Sequence, residues 1–109
     1  MVIYTEEILK QITQGGTLGY PLSKLINILD IEDEEQFSND FFDEDCVVFK
    51  HYRRGIDKSD FLLDSKLFDM AKNGDLKALE KYESRKKRHQ YDYEDEMNTK
   101  KINEDPDEI

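Results

Sequence analysis

The chain is poor in the residues that covalent and metal chemistry usually need. Its single cysteine, Cys46, has no intramolecular disulfide partner, and no group of cysteines and histidines has zinc-site spacing. Cys46 sits among Val47, Val48 and Phe49, a setting that predicts a buried structural thiol rather than a nucleophile activated by the nearby His51. No apolar run approaches the roughly 20 residues needed to span a bilayer. The start, MVIYTEEILK, lacks the basic and apolar regions of a secretory signal. The glycine-bearing stretch GGTLGYPLSK has neither the spacing nor the Lys-Ser/Thr pair of a phosphate-binding loop. The acidic run DIEDEE has the charge of a calcium loop but not its turn glycine or its closing glutamate. Carboxylates are so frequent that no pair of them points to acid–base catalysis. These absences predict a non-enzymatic protein without metal or cofactor, in a reducing cytoplasm.

Positive charge is also missing where it would be expected, and what charge there is comes in blocks. Of 109 residues, 39% are charged and the net charge is −10. From Asp30 to Asp45 there are nine acidic residues and no basic one. From Lys50 to Lys58 the cations Lys50, Arg53, Arg54 and Lys58 face only Asp57, and Arg85-Lys86-Lys87-Arg88 is purely basic. The overall field repels nucleic acid at long range, while the two basic clusters can attract phosphate locally. With 37% apolar residues, the composition predicts one small domain with a modest core and a solvated segment.

Every periodic segment has helical spacing, and no stretch alternates long enough for a strand, so the chain is expected to be all-α. Thr5 is a suitable N-cap, and Tyr4, Ile8 and Ile12 recur on one face until Gly15-Gly16, where the helix is expected to stop. Pro21 suits the first turn of a second helix with the stripe Leu22, Leu25, Ile26 and Leu29. Asp33 with Gln36 approximates a capping box for a short third helix carrying Phe37 and Phe41. A fourth helix, with Val48 and Tyr52 or Phe49 and Tyr52 on one face, is expected to end near Gly55. A fifth, starting near Asp57 or Ser59, has the stripe Leu63, Leu67, Met70 and Ala71. Asn73-Gly74 supplies a left-handed helix end and Asp75 caps the next helix, with Leu76, Leu79 and Tyr82 as its stripe. The expected organisation is a helical domain over 1–90 and an acidic disordered tail over 91–109.

Residues 21–41 have the outline of a helix-turn-helix, short helices that recur in many bundles. The order of residues C-terminal to it gives that outline a context. Tyr52-x-x-Gly55, then Ala71-Lys72-x-Gly74-Asp75-x-x-Ala78-Leu79, then Arg85 succeed one another along the chain, which over about 18–88 thereby resembles the small subunit of tailed-phage terminases. The resemblance implies a helix-turn-helix unit over about 21–41, oligomerisation and basic helices over about 44–90, and assembly as a homo-oligomeric ring. It implies double-stranded viral DNA and the large terminase subunit as partners, in the cytoplasm of a bacterial host, with no nucleotide-hydrolysing motif in the small subunit itself.

The DNA-contact candidates are chosen by charge. Residues 33–41 hold four carboxylates and no cation, so Gln36, Ser38 and Asn39 are the weaker base-contact candidates. The better candidates are Lys50, His51, Arg53, Arg54 and Lys58 and the run Arg85, Lys86, Lys87 and Arg88. The same cations also suit a solvated face or salt bridges with the 30–45 block, within the chain or between neighbouring subunits. The alternative reading is an acidic protein-interaction module, or a DNA mimic, without direct nucleic-acid binding. Interruption of the acids by two basic clusters disfavours the mimic.

Overall fold

Helix ends in this chain are written by short polar side chains and by residues that accept a positive φ. The Thr5 hydroxyl accepts from the Ile8 amide at 3.2 Å, the Asp33 carboxylate from Gln36 at 3.0 Å, and the Asp75 carboxylate from Ala78 at 3.0 Å. At the opposite ends, Gly19, Asp30 and Gly74 take φ values of 71°, 52° and 96°. After Gly74 the chain closes two reversed hydrogen bonds, from Asp75 N to the Met70 carbonyl and from Gly74 N to that of Ala71, both 3.1 Å. Gly19 and Tyr20 repeat the arrangement on the carbonyls of Gly16 and Gly15.

A computed structural model describes residues 3–104 of the protein, with side chains as far as residue 100. It is all-α: α1 (Glu6–Leu18), α2 (Leu22–Leu29), α3 (Glu34–Phe42), α4 (Val47–Lys72) and α5 (Leu76–Glu104), with no strand among the described residues. No described helix is long and apolar enough to cross a membrane. The chain divides into two compact units, Met1–Leu62 and Leu63–Ile109, so that α4 contributes to both.

The first unit has its core where the apolar stripes of four helices converge. Ile12 of α1, Leu25 of α2, Phe37 of α3 and Val48 of α4 are each fully buried. Tyr4, Ile8, Ile26, Leu29, Phe41 and Tyr52 pack around them. Tyr52 donates its hydroxyl to the Tyr20 carbonyl at 2.7 Å and sets its ring edge-on to Phe41, with centroids 4.9 Å apart. The Tyr4 hydroxyl donates to the Asp40 carboxylate, tying the start of α1 to α3. Burial, with that hydrogen bond and the Asp40 charge behind it, pushes the Tyr4 phenol well above its ordinary value. The second unit has less to bury: Leu67 and Ala78 are its buried apolar residues among those described. The Phe68 and Tyr82 rings meet there at 5.3 Å, joining the end of α4 to α5.

Three expectations change. The glycines at 15, 16 and 55 do not end helices: α1 runs on to Leu18, and α4 is continuous from Val47 to Lys72. Gly16 and Gly55 are instead the places where the backbones of α1 and α4 touch. A Cβ on Gly55 would collide with the Thr13 carbonyl oxygen and lie 2.8 Å from Thr17 N. One on Gly16 would collide with the Tyr52 carbonyl, 3.0 Å from its carbon. The Thr17 hydroxyl bridges the crossing, donating within 3.2 Å of the carbonyl oxygens of both Thr13 and Gly55. The third change is at the tail. Where irregular backbone was expected from Tyr91, α5 continues to Glu104, although every residue over 91–100 is exposed. No proline or glycine interrupts 76–104, so nothing there breaks a helix, while its composition offers little to bury. Residues 105–109 of the expected tail lie outside the described residues.

Candidate nucleic-acid interface

A helix places residues four apart in a row, and α4 uses two adjacent rows for charge. Phe49, Arg53, Asp57 and Phe61 form one row; Lys50, Arg54, Lys58 and Leu62 form the next. Together with Glu44 they line an open groove of about 630 Å³ within the first unit, with a largely apolar surface and a rim on which four cations outnumber two carboxylates. Arg53 reaches Asp57 at 3.7 Å, a pair in which both side chains are mostly exposed, so the guanidinium keeps most of its hydration.

Around the helix from this face, α1 approaches α4 and a second groove of about 390 Å³ opens. Its cationic lining is Lys10 from α1 with Arg54 and Lys58 from α4, joined by His51 and bordered by Glu6 and Thr13. The close crossing at Gly16 and Gly55 brings the two helices near enough for Lys10 to join the α4 cations. His51 Nδ1 lies 2.9 Å from the Val47 carbonyl, which can only accept, so Nδ1 carries hydrogen and Nε2 is left for a further partner. Arg54 and Lys58 line both grooves.

The second basic cluster is arranged differently. Successive residues of a helix are about 100° apart, so Arg85, Lys86, Lys87 and Arg88 fan around α5 instead of forming one patch. Arg85 is turned onto Asp64 of α4, with side-chain exposures of 23% and 24%. His89 Nε2 reaches the other Asp64 oxygen at 2.9 Å. Burial raises the Asp64 carboxyl, but the bonds from Arg85 and His89 outweigh it and hold the group below the usual carboxylate value. Lys86 lies over the Tyr82 ring, 5.8 Å from its centroid, while Lys87 and Arg88 are exposed. Arg85 therefore clamps the second unit, and the contiguous cations are those of the first.

On α3, Gln36 spends its side-chain amide on Asp40 Oδ1 at 2.8 Å, Ser38 is half-buried and Asn39 is exposed. Glu34 and Glu35 stand exposed beside them. The sequence alone groups Lys50, His51, Arg53, Arg54 and Lys58 but does not reveal Lys10. That residue stands alone among neutral and acidic neighbours, and only its helical spacing from Glu6 and Thr13 marks the shared face. No group of His, Cys, Asp and Glu that would hold a metal occurs among the described residues. Comparison with family models, curated proteins and solved structures finds no match to this chain.

Proposed function

We propose that the protein is a non-enzymatic DNA-binding adaptor of the terminase-small-subunit type, which self-associates on double-stranded viral DNA and presents it to the large ATPase–nuclease subunit for packaging. The observation that carries this reading is the groove between α1 and α4, where Lys10, Arg54 and Lys58 converge with His51. Three permanent cations on two rigid helices suit a row of phosphates, and phosphate contact supplies most sequence-independent affinity for a duplex. The acidic α3 repels a phosphate wall, so the duplex lies against α4 rather than against the second helix of the helix-turn-helix outline. Multiple copies along one duplex repeat a weak contact and raise the effective concentration of each.

Titration of a fluorescent duplex at two salt concentrations tests the reading. About three phosphate contacts per copy predict that affinity falls roughly 40-fold between 50 and 200 mM salt. Replacing Lys10 and Lys58 by alanine should remove about two contacts from that salt slope. Absence of duplex binding at 50 mM salt would overturn it. The exposed acidic face of α3 would then favour the second reading, a module for a basic protein partner.

A further inference from the structure

The last part of α5 buries little: Tyr93 lines a cavity with Asp64 and Tyr82, but no residue over 91–100 is buried. Every residue over 91–100 is exposed, and an unpacked helical segment of this length is marginal in water. It is nonetheless amphipathic: Tyr93 and Met97 lie one turn apart, 63% and 49% exposed, with Asp92 and Glu96 on one flank and Glu94 on the other. From Tyr91 to Met97 there are four acidic residues and no basic one.

A surface of opposite character stands on α4. Phe61 and Leu62 are 70% and 66% exposed, and with Phe49 they form the apolar surface of a groove whose rim carries four cations, Lys50, Arg53, Arg54 and Lys58, against two carboxylates, Glu44 and Asp57. An apolar pair flanked by carboxylates meets an apolar strip with cations along it, and the roughly two turns of 91–97 fit within the nearly four turns of 49–62. Tyr93 and Met97 on the one surface and Phe61 and Leu62 on the other are all exposed.

We propose that the 91–97 segment of α5 of one copy docks on the 49–62 face of α4 of a second copy, Tyr93 and Met97 against Phe61 and Leu62, with Asp92, Glu94 and Glu96 towards the α4 cations. The two surfaces differ, so the contact is head-to-tail and leaves the pair with one free donor and one free acceptor end. The inference rests on the self-association of the packaging adaptor and supplies its surfaces. Arg54 and Lys58 also line the α1–α4 groove, so an acidic helix laid on them competes with a duplex for the same cations. Association thereby sets which α4 faces remain open to DNA.

The test is made without DNA, so that its failure and failure of DNA binding are separate results. Full-length protein is followed by sedimentation velocity at low salt, with helicity checked for each variant. Two variants are made: Arg53→Glu with Arg54→Glu, and Glu94→Lys with Glu96→Lys. Each alone should associate at least tenfold more weakly than the parent, and a mixture of the two should recover association, because the unaltered 91–97 segment of the first variant meets the unaltered α4 face of the second. In a Cys46→Ser background, copies with Phe61→Cys mixed with copies with Tyr93→Cys should form a mixed disulfide faster than Lys77→Cys copies do with the same partner. No recovery on mixing, or no such disulfide, would overturn the proposal. So would a chain carrying both cysteines that closes on itself as a monomer, which would assign the α4 face to the same copy's helix.

Discussion

At Gly55 the missing methyl group lets one helix backbone rest on another. The nearest atoms to an added Cβ belong to the Thr13 and Thr17 main chain, which cannot move without shifting α1. Alanine is intrinsically the better helix residue, by roughly 0.5–1 kcal/mol, so propensity and packing oppose each other here. Packing dominates: Gly55→Ala should lower stability by about 3 kcal/mol or more in urea titration, as overpacking of rigid backbone does. Gly15→Ala meets the Leu25 side chain instead, 2.5 Å from its Cδ2, and should cost about 1–2 kcal/mol because a side chain can turn away. Gly19 has open space around it, and its substitution should cost about 1 kcal/mol through positive φ alone. Equal losses at all three positions would refute the distinction. Asp64 offers a second single-residue test, through protons. Its folded pKa lies below the unfolded value, so its pairing adds stability above the usual carboxylate range near pH 4 and loses it as pH falls through the folded value. Asp64→Asn should therefore flatten the acid limb of the second unit's stability below about pH 4.

The elements show which sequence signals have one physical meaning and which have two. Thr5, Asp33 and Asp75 are legible as caps because a short polar side chain before an apolar stripe has little else to do there. Gly74 is legible because Asn73 and Asp75 flank it with helix-ending and helix-starting chemistry. Gly15, Gly16 and Gly55 resemble helix stops in the sequence, yet glycine also marks close approach. For Gly16 and Gly55 the partner backbone lies some forty residues away along the chain. The same distance hides Lys10 from the basic group on α4, and a shorter one hides the Asp64 carboxylate that takes Arg85 out of the basic run. In 91–104, high charge suggests absence of structure, whereas it specifies only absence of burial. Deleting residues 91–109 should thus lower helical circular dichroism while leaving the thermal midpoint of a dilute sample within a few degrees. A large loss of midpoint at low protein concentration would mean that this segment packs within its own chain.

For the whole molecule, stability and charge are both distributed by unit. The first unit is held by four fully buried side chains, one from each of α1 to α4, and by the glycine crossing of α1 on α4. The second relies on Leu67, Ala78, an aromatic pair and the Asp64 clamp, a small core for two helices. Because α4 belongs to both, protection should change along one unbroken helix, not at a loop. Hydrogen exchange read by mass spectrometry at low protein concentration should find the slowest amides in α1 to α3 and in α4 before Leu62. Exchange should be faster over 63–90 and approach that of unstructured peptide over 91–100. Raising the concentration should slow exchange in 91–100 and leave α2 unchanged, since only the former gains a partner by docking. Uniform protection from Glu6 to Gln90 would show instead that the two units open together, with α4 transmitting the stability of one core to the other.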